Sequence, residues 1–173
     1  MRKSAALIVS LLVSFTGCSV SAGSGDDDPE PWSTAHLEDE VTDDITLDDK
    51  DAEFTVECAG GLENEKDATQ DCNITTGEDE ADVHVVVTEL DDGEISDYDV
   101  NTYLPGDRVA EAIKSSLADQ GVNADTVDCE GELAGEKGAT MSCTATAGTD
   151  TGEIAVEATE VDGLFINFHF EVK

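Results

Sequence analysis

Val56-Glu-Cys58-Ala-Gly60-Gly-Leu62-Glu-Asn-Glu65-Lys66-Asp-Ala68-Thr69-Gln-Asp-Cys72 returns 71 residues later as Val127-Asp-Cys129-Glu-Gly131-Glu-Leu133-Ala-Gly-Glu136-Lys137-Gly-Ala139-Thr140-Met-Ser-Cys143. No gap is needed, and 16 of 36 positions agree between Val56–Asp91 and Val127–Asp162. The chain is therefore read as two copies of one small module. A unit of about 70 residues buries too little apolar surface to be secure alone, so each copy needs a staple. The repeat duplicates a cysteine pair locally, which predicts Cys58–Cys72 and Cys129–Cys143 rather than bonds between copies. Structural disulfides in turn point to an oxidising compartment.

Outward from this core the pattern predicts one helix and four antiparallel strands per copy. The second helix is expected to start at Asp107 as N-cap and to carry Val109, Ala110, Ala112, Ile113 and Leu117 on one face, with Gly121 as its stop. In the first copy Leu37, Val41 and Ile45 recur every four residues among acids. Strands are expected over Phe54–Cys58, Ala68–Thr75 and Asp82–Glu89, and again over Thr126–Cys129, Ala139–Thr146 and Glu153–Val161. Val83, Val85 and Val87, like Ile154, Val156 and Ala158, should face inward. Leu164, Ile166, Phe168, Phe170 and Val172 alternate with Phe165, Asn167, His169 and Glu171, the mark of a half-buried last strand. Asp91-Asp92-Gly93 and Asp162-Gly163 supply the preceding turns. The expected class is α+β: two tandem repeats, each one helix packed on a four-stranded antiparallel sheet with one disulfide.

The N-terminus reads as an export signal over residues 1–17. Met1-Arg2-Lys3 is a basic start, and the apolar run Ala5–Phe15 is too short to span a bilayer. Phe15-Thr16-Gly17-Cys18 resembles a bacterial lipobox, with Phe15 where that pattern prefers Leu, and the resemblance implies a lipid on Cys18, the one cysteine outside the repeat; the alternative is an ordinary secretory signal with Cys18 as a spare thiol. Residues 18–33, rich in Gly, Ser, Asp and Pro, are expected to form an acidic tether, with Trp32 packing on the first module. The modules are then residues 34–103 and 104–173.

Formal net charge is −34. Such acidity excludes nucleic acid as a partner, because phosphates would be repelled. It suits a high-salt surface, a cationic or metal-ion partner, or simply a well-solvated envelope protein. Residues 34–103 hold 24 acids and 2 bases, against 14 and 4 in residues 104–173. Salt adaptation does not explain that asymmetry; a basic envelope protein docking on the first module would.

No catalytic constellation is legible. His36, His84 and His169 lie far apart without ligand spacing, and are expected to be surface residues rather than metal ligands. No serine sits in a Gly-x-Ser-x-Gly elbow. Asp26-Asp27-Asp28 and Asp91-Asp92-Gly93-Glu94 do not fit a calcium loop. No cofactor is expected.

Val-x-Cys, a Leu four residues on, an Ala-Thr step into the second Cys, and a Val-rich strand ending before Asp-Gly together resemble the domain-of-unknown-function 4333 family. The resemblance implies secretion or lipid anchoring at the outer face of a bacterial membrane, and carries no catalytic residues. In the first copy's last strand Asp97 and Asp99 fall where the family has apolar residues. The expectation is a non-catalytic binding lipoprotein attached to the membrane through Cys18. A rival is an enzyme inhibitor, since the layout also resembles secreted β-lactamase-inhibitory proteins; fold analogy alone says little about function.

Overall fold

The computed structural model describes residues 29–45, 53–77 and 79–173. The expected signal segment and Cys18 lie outside them. The described residues form an α+β structure of two antiparallel sheets, each with a helix. The first unit runs α1 (Thr34–Asp44), β1 (Phe54–Cys58), β2 (Thr69–Thr76), β3 (Asp79–Asp91) and β4 (Glu94–Pro105). The second runs α2 (Gly106–Asp119), β5 (Thr126–Cys129), β6 (Glu132–Ala134), β7 (Thr140–Ala147), β8 (Asp150–Asp162) and β9 (Phe165–Val172).

Alternation decides which face of each sheet is buried. Val83, Val85 and Val87 of β3 are fully buried, as are Ile154, Val156 and Ala158 of β8 to within 1%. Against the first face lie Leu37 and Val41 of α1; against the second, Val109, Ile113 and Leu117 of α2. Few residues of α1 favour a helix on their own. It is held by this packing and by Ser33, whose Oγ accepts from the His36 amide at 3.3 Å. Glu38 of α1 also accepts from the Cys58 amide at 3.0 Å, which satisfies a donor on the edge strand β1. Each disulfide joins directly opposed residues: Cys58 faces Cys72 across β1 and β2, and Cys129 faces Cys143 across β5 and β7.

Three regions depart from expectation. Asp107 is not the N-cap of α2; Pro105 is, and Asp107 sits in the first turn, where a carboxylate favours the helix dipole. The cause is that β4 runs into α2 without a loop, and the Gly106 amide is satisfied by the Gly131 carbonyl at 2.9 Å. Ala112 is exposed rather than on the buried face. At the other end Gln120 is the C-cap and Gly121, at φ +81°, permits a Schellman closure in which Gly121 and Val122 donate to Ala118 and Leu117.

The second correction concerns β4. Tyr98 pairs with Val87 and Val100 with Val85, as Phe168 pairs with Ala158 and Phe170 with Val156. Relative to β9, β4 carries one extra residue near Ser96, and the 71-residue offset ends there. Tyr98 and Val100 therefore fill the inward positions, and Asp97 and Asp99 point outward without replacing core residues.

The third is β6. The short strand around Leu133 pairs with the end of β4, so the first unit's sheet has five strands, in the order β1-β2-β3-β4-β6, and the second has four, β5-β7-β8-β9. Leu164, expected to begin the last strand, lies in the β8–β9 turn and packs against the first unit's core. No helix among the described residues is long and apolar enough to cross a membrane.

Candidate functional site

The residues that the sequence left without a role meet where the two units join. β6 lies antiparallel to β4, with Tyr103 opposite Ala134 and Leu104 opposite Leu133. The Gly135 amide donates to the Thr102 carbonyl at 2.8 Å. A Cβ at Gly135 would fall 2.5 Å from that oxygen, so only glycine allows this approach. Leu104 packs into the second unit's core, and Leu164 returns the contact to the first.

On the outer face of the first sheet, next to this seam, polar groups from five elements converge. His84 of β3 is half-buried; its Nδ1 lies 2.7 Å from Asp71 Oδ1 on β2, and its Nε2 lies 2.9 Å from Glu132 Oε2 on β6. The imidazole is stacked on Tyr103 of β4, centroids 3.9 Å apart and planes 4° from parallel. Burial works to lower the His84 pKa, but hydrogen bonds to Glu132 and Asp71, and their charges, outweigh it and raise the pKa above 6.5. Tyr103 is pushed up to about 12, by burial first and then by Asp71, Asp82 and Glu132. Two residues along β3, Asp82 accepts from Asn73 Nδ2 at 3.1 Å and faces Arg108 Nη1 of α2 at 3.4 Å. Arg108 also pairs with the Glu80 carboxylate and donates to its carbonyl at 3.0 Å.

A groove of about 640 Å³ lies beside β6, where β4 continues without a strand partner. Val100, Ala134, Val161 and Leu164 give it an apolar floor, and Asp44 and Glu136 give it an acidic rim.

Of the three histidines, the structure brings only His84 into this cluster. His36 stacks edge-on against Trp32, and His169 is exposed on β9. Trp32 packs on the first core and edge-on against Tyr98, as expected. The role of His84 was not legible because its partner Glu132 is 48 residues away and belongs to the other copy. The repeat itself held the only signal: His84, Asp71 and Glu132 align with Ala155, Ser142 and Gly61, so the cluster occurs once. Cys58, Cys72, Cys129 and Cys143 are consumed in disulfides, and no group of three or more metal-ligating side chains occurs among the described residues.

A family model described as domain of unknown function (DUF4333) matches residues 13–93 and, a second time, residues 96–163. Comparison with curated proteins and with solved structures yields no match.

Proposed function

The chain belongs to the DUF4333 family, and on that premise we propose that it is a non-catalytic binding lipoprotein of the bacterial envelope. In this reading Cys18 carries the lipid, residues 19–33 are the tether, and the paired modules stand on the outer face of the membrane. The partner is a basic envelope protein that docks an extended segment in the groove beside β6. One observation carries the reading: the groove exposes an open stretch of β4, whose backbone could receive another strand as it already receives β6. Its rim is acidic, and the unit that supplies β4 has a net charge of −22 from 24 acids and 2 bases. A cationic segment would be both steered and held there.

The inhibitor alternative would want a row of exposed aromatics on the sheet. On β9, Phe168 and Phe170 face the core and Phe165 alone is exposed. That pattern favours binding at the groove.

The test has two arms. Intact mass of the native protein should show an acyl increment on Cys18, and Cys18→Ala should release the protein from the membrane; an unmodified mass removes the anchor from the reading. A photo-crosslinking residue at Asn101, in the groove, should trap a basic protein in the native envelope. The same residue at Ala155, on the other sheet, should not. Equal trapping at both positions, or none at Asn101, overturns the docking reading.

A further inference from the structure

We infer that the seam between the two modules is a pH-sensitive latch, closed while His84 is the imidazolium and loosened when it becomes neutral. The inference goes beyond the binding reading and stands on geometry inside the chain. Both ring nitrogens face carboxylate oxygens at hydrogen-bond distance: Nδ1 faces Asp71, and Nε2 faces both oxygens of Glu132, at 2.9 and 3.0 Å. A carboxylate without a proton only accepts, and a neutral imidazole has only one N–H to give. The arrangement is therefore complete only with two ring protons. When one leaves, a nitrogen lone pair is set against a carboxylate, and either Asp71 on β2 or Glu132 on β6 must move away. The backbone of Asp71 lies on an interior strand of the first sheet, paired with β1 on one side and β3 on the other. Glu132 sits on a three-residue strand of the other module. The second is the element that can yield.

The groups facing His84 make the acid form the stable one. Asp71 comes from β2, Glu132 from β6, and Tyr103 from β4; Asp82 stands two residues away on β3 itself. Arg108 of α2 is engaged by Asp82 and Glu80. The stacked Tyr103 holds the ring plane between the two carboxylates. A histidine whose pKa is raised by folding stabilises the seam fully below the ordinary value of about 6.5. That contribution is lost as pH rises through the raised value in the folded chain. The latch should thus tighten under mild acid and loosen toward alkaline pH, the reverse of a carboxylate-controlled contact. β6 also ends at Ala134, in the floor of the groove, so its release would alter that surface.

The experiment uses the whole chain after residue 17. Imidazole NMR titration should place the His84 pKa above 6.5, and Glu132→Gln should lower it. Hydrogen exchange of the Gly135 amide, which donates across the seam to Thr102, reads the latch directly. Its protection, corrected for intrinsic exchange, should fall between pH 5.5 and pH 9. The expected loss is about tenfold for each unit by which the measured pKa exceeds that of the opened form. In His84→Gln the protection should be flat with pH. A His84 pKa at or below 6.5 overturns the latch. So does a Gly135 protection that falls equally in the native chain and in His84→Gln.

Discussion

Trp32 and Leu104 hold the same place in the two modules. Trp32 immediately precedes the N-cap Ser33 and bridges to Leu62; Leu104 immediately precedes the N-cap Pro105 and pairs with Leu133. Each packs on the core of the module that follows it. In the second module this position is supplied by the last strand of the first. In the first module it is supplied by the end of the segment before α1. The repeat thus takes its opening residue from whatever precedes it, and the two modules share β4.

Sharing of this kind predicts a single cooperative transition. Trp32 is the only tryptophan, so its fluorescence reports the first module. Leu133 is fully buried, in the second module's core. Leu133→Ala should cost about 2–5 kcal/mol and should shift the Trp32 fluorescence midpoint along with the circular-dichroism midpoint. A fluorescence midpoint that stays in place would mean that the modules unfold independently.

Arg108 is the cation that α2 places against β3. Asp82 is only 16% exposed, and one of its oxygens has no hydrogen-bond partner besides the ion pair to Arg108. Arg108→Ala leaves that carboxylate unpaired and should lower stability by about 1–3 kcal/mol. Because the rest of the contact is exposed, Arg108→Lys should recover only part of this, since one ammonium cannot reach Glu80 and Asp82 as the guanidinium does. Urea titration of both variants measures the difference.

Both tyrosines resist ionisation. Tyr98 is pushed up to about 12 by burial and then by Asp44, Glu40, Asp43 and Asp97, and Tyr103 behaves alike. The unfolded chain gives up these protons near pH 10, so the folded chain binds more protons between the two values. The stability this provides is whole below pH 10 and is lost as pH climbs through about 12. Absorbance at the phenolate band should stay low in the folded chain at pH 10.5 and rise as pH approaches about 12 or the chain unfolds; a normal titration near pH 10 in the folded chain would refute the environment described.

Charge supplies a fourth expectation. With 42 acids against 8 bases, the chain should gain melting temperature from added NaCl, because at about 1 M the screening length falls to about 3 Å. If the charge is diffuse, calcium at equal ionic strength should add nothing further. A calcium effect well beyond that of NaCl would reveal a specific site.

The fold was legible to the extent that it is written in local patterns. Periodicity two placed Val83, Val85 and Val87 inward, and the duplicated cysteines fell opposite each other because equal spacing returns the chain to the same register. Where residues couple at long range, pattern reading failed. Ser96 adds one residue to β4, and no alternation marks which of Asp97 or Tyr98 faces the core until Val85 and Val87 choose. Asp107 looked like a cap because its chemistry suits one; the cap fell to Pro105 because a strand from the other module enters there. His84 looked like a surface residue because alternation does point it outward, and nothing local says that Glu132 will arrive.

By itself, then, the sequence determined two stapled α+β units, the inward residues of β3 and β8 and the two disulfides, since these follow from alternation along one strand and from a repeat that needs no gap. Tertiary structure alone decided that β6 completes the neighbouring sheet, that Trp32 stands in for Leu104, and that His84 is held between two carboxylates. Those outcomes depend on backbone groups left open at a sheet edge. An open edge is satisfied by whichever segment the three-dimensional path brings alongside, and no residue type in the sequence announces it.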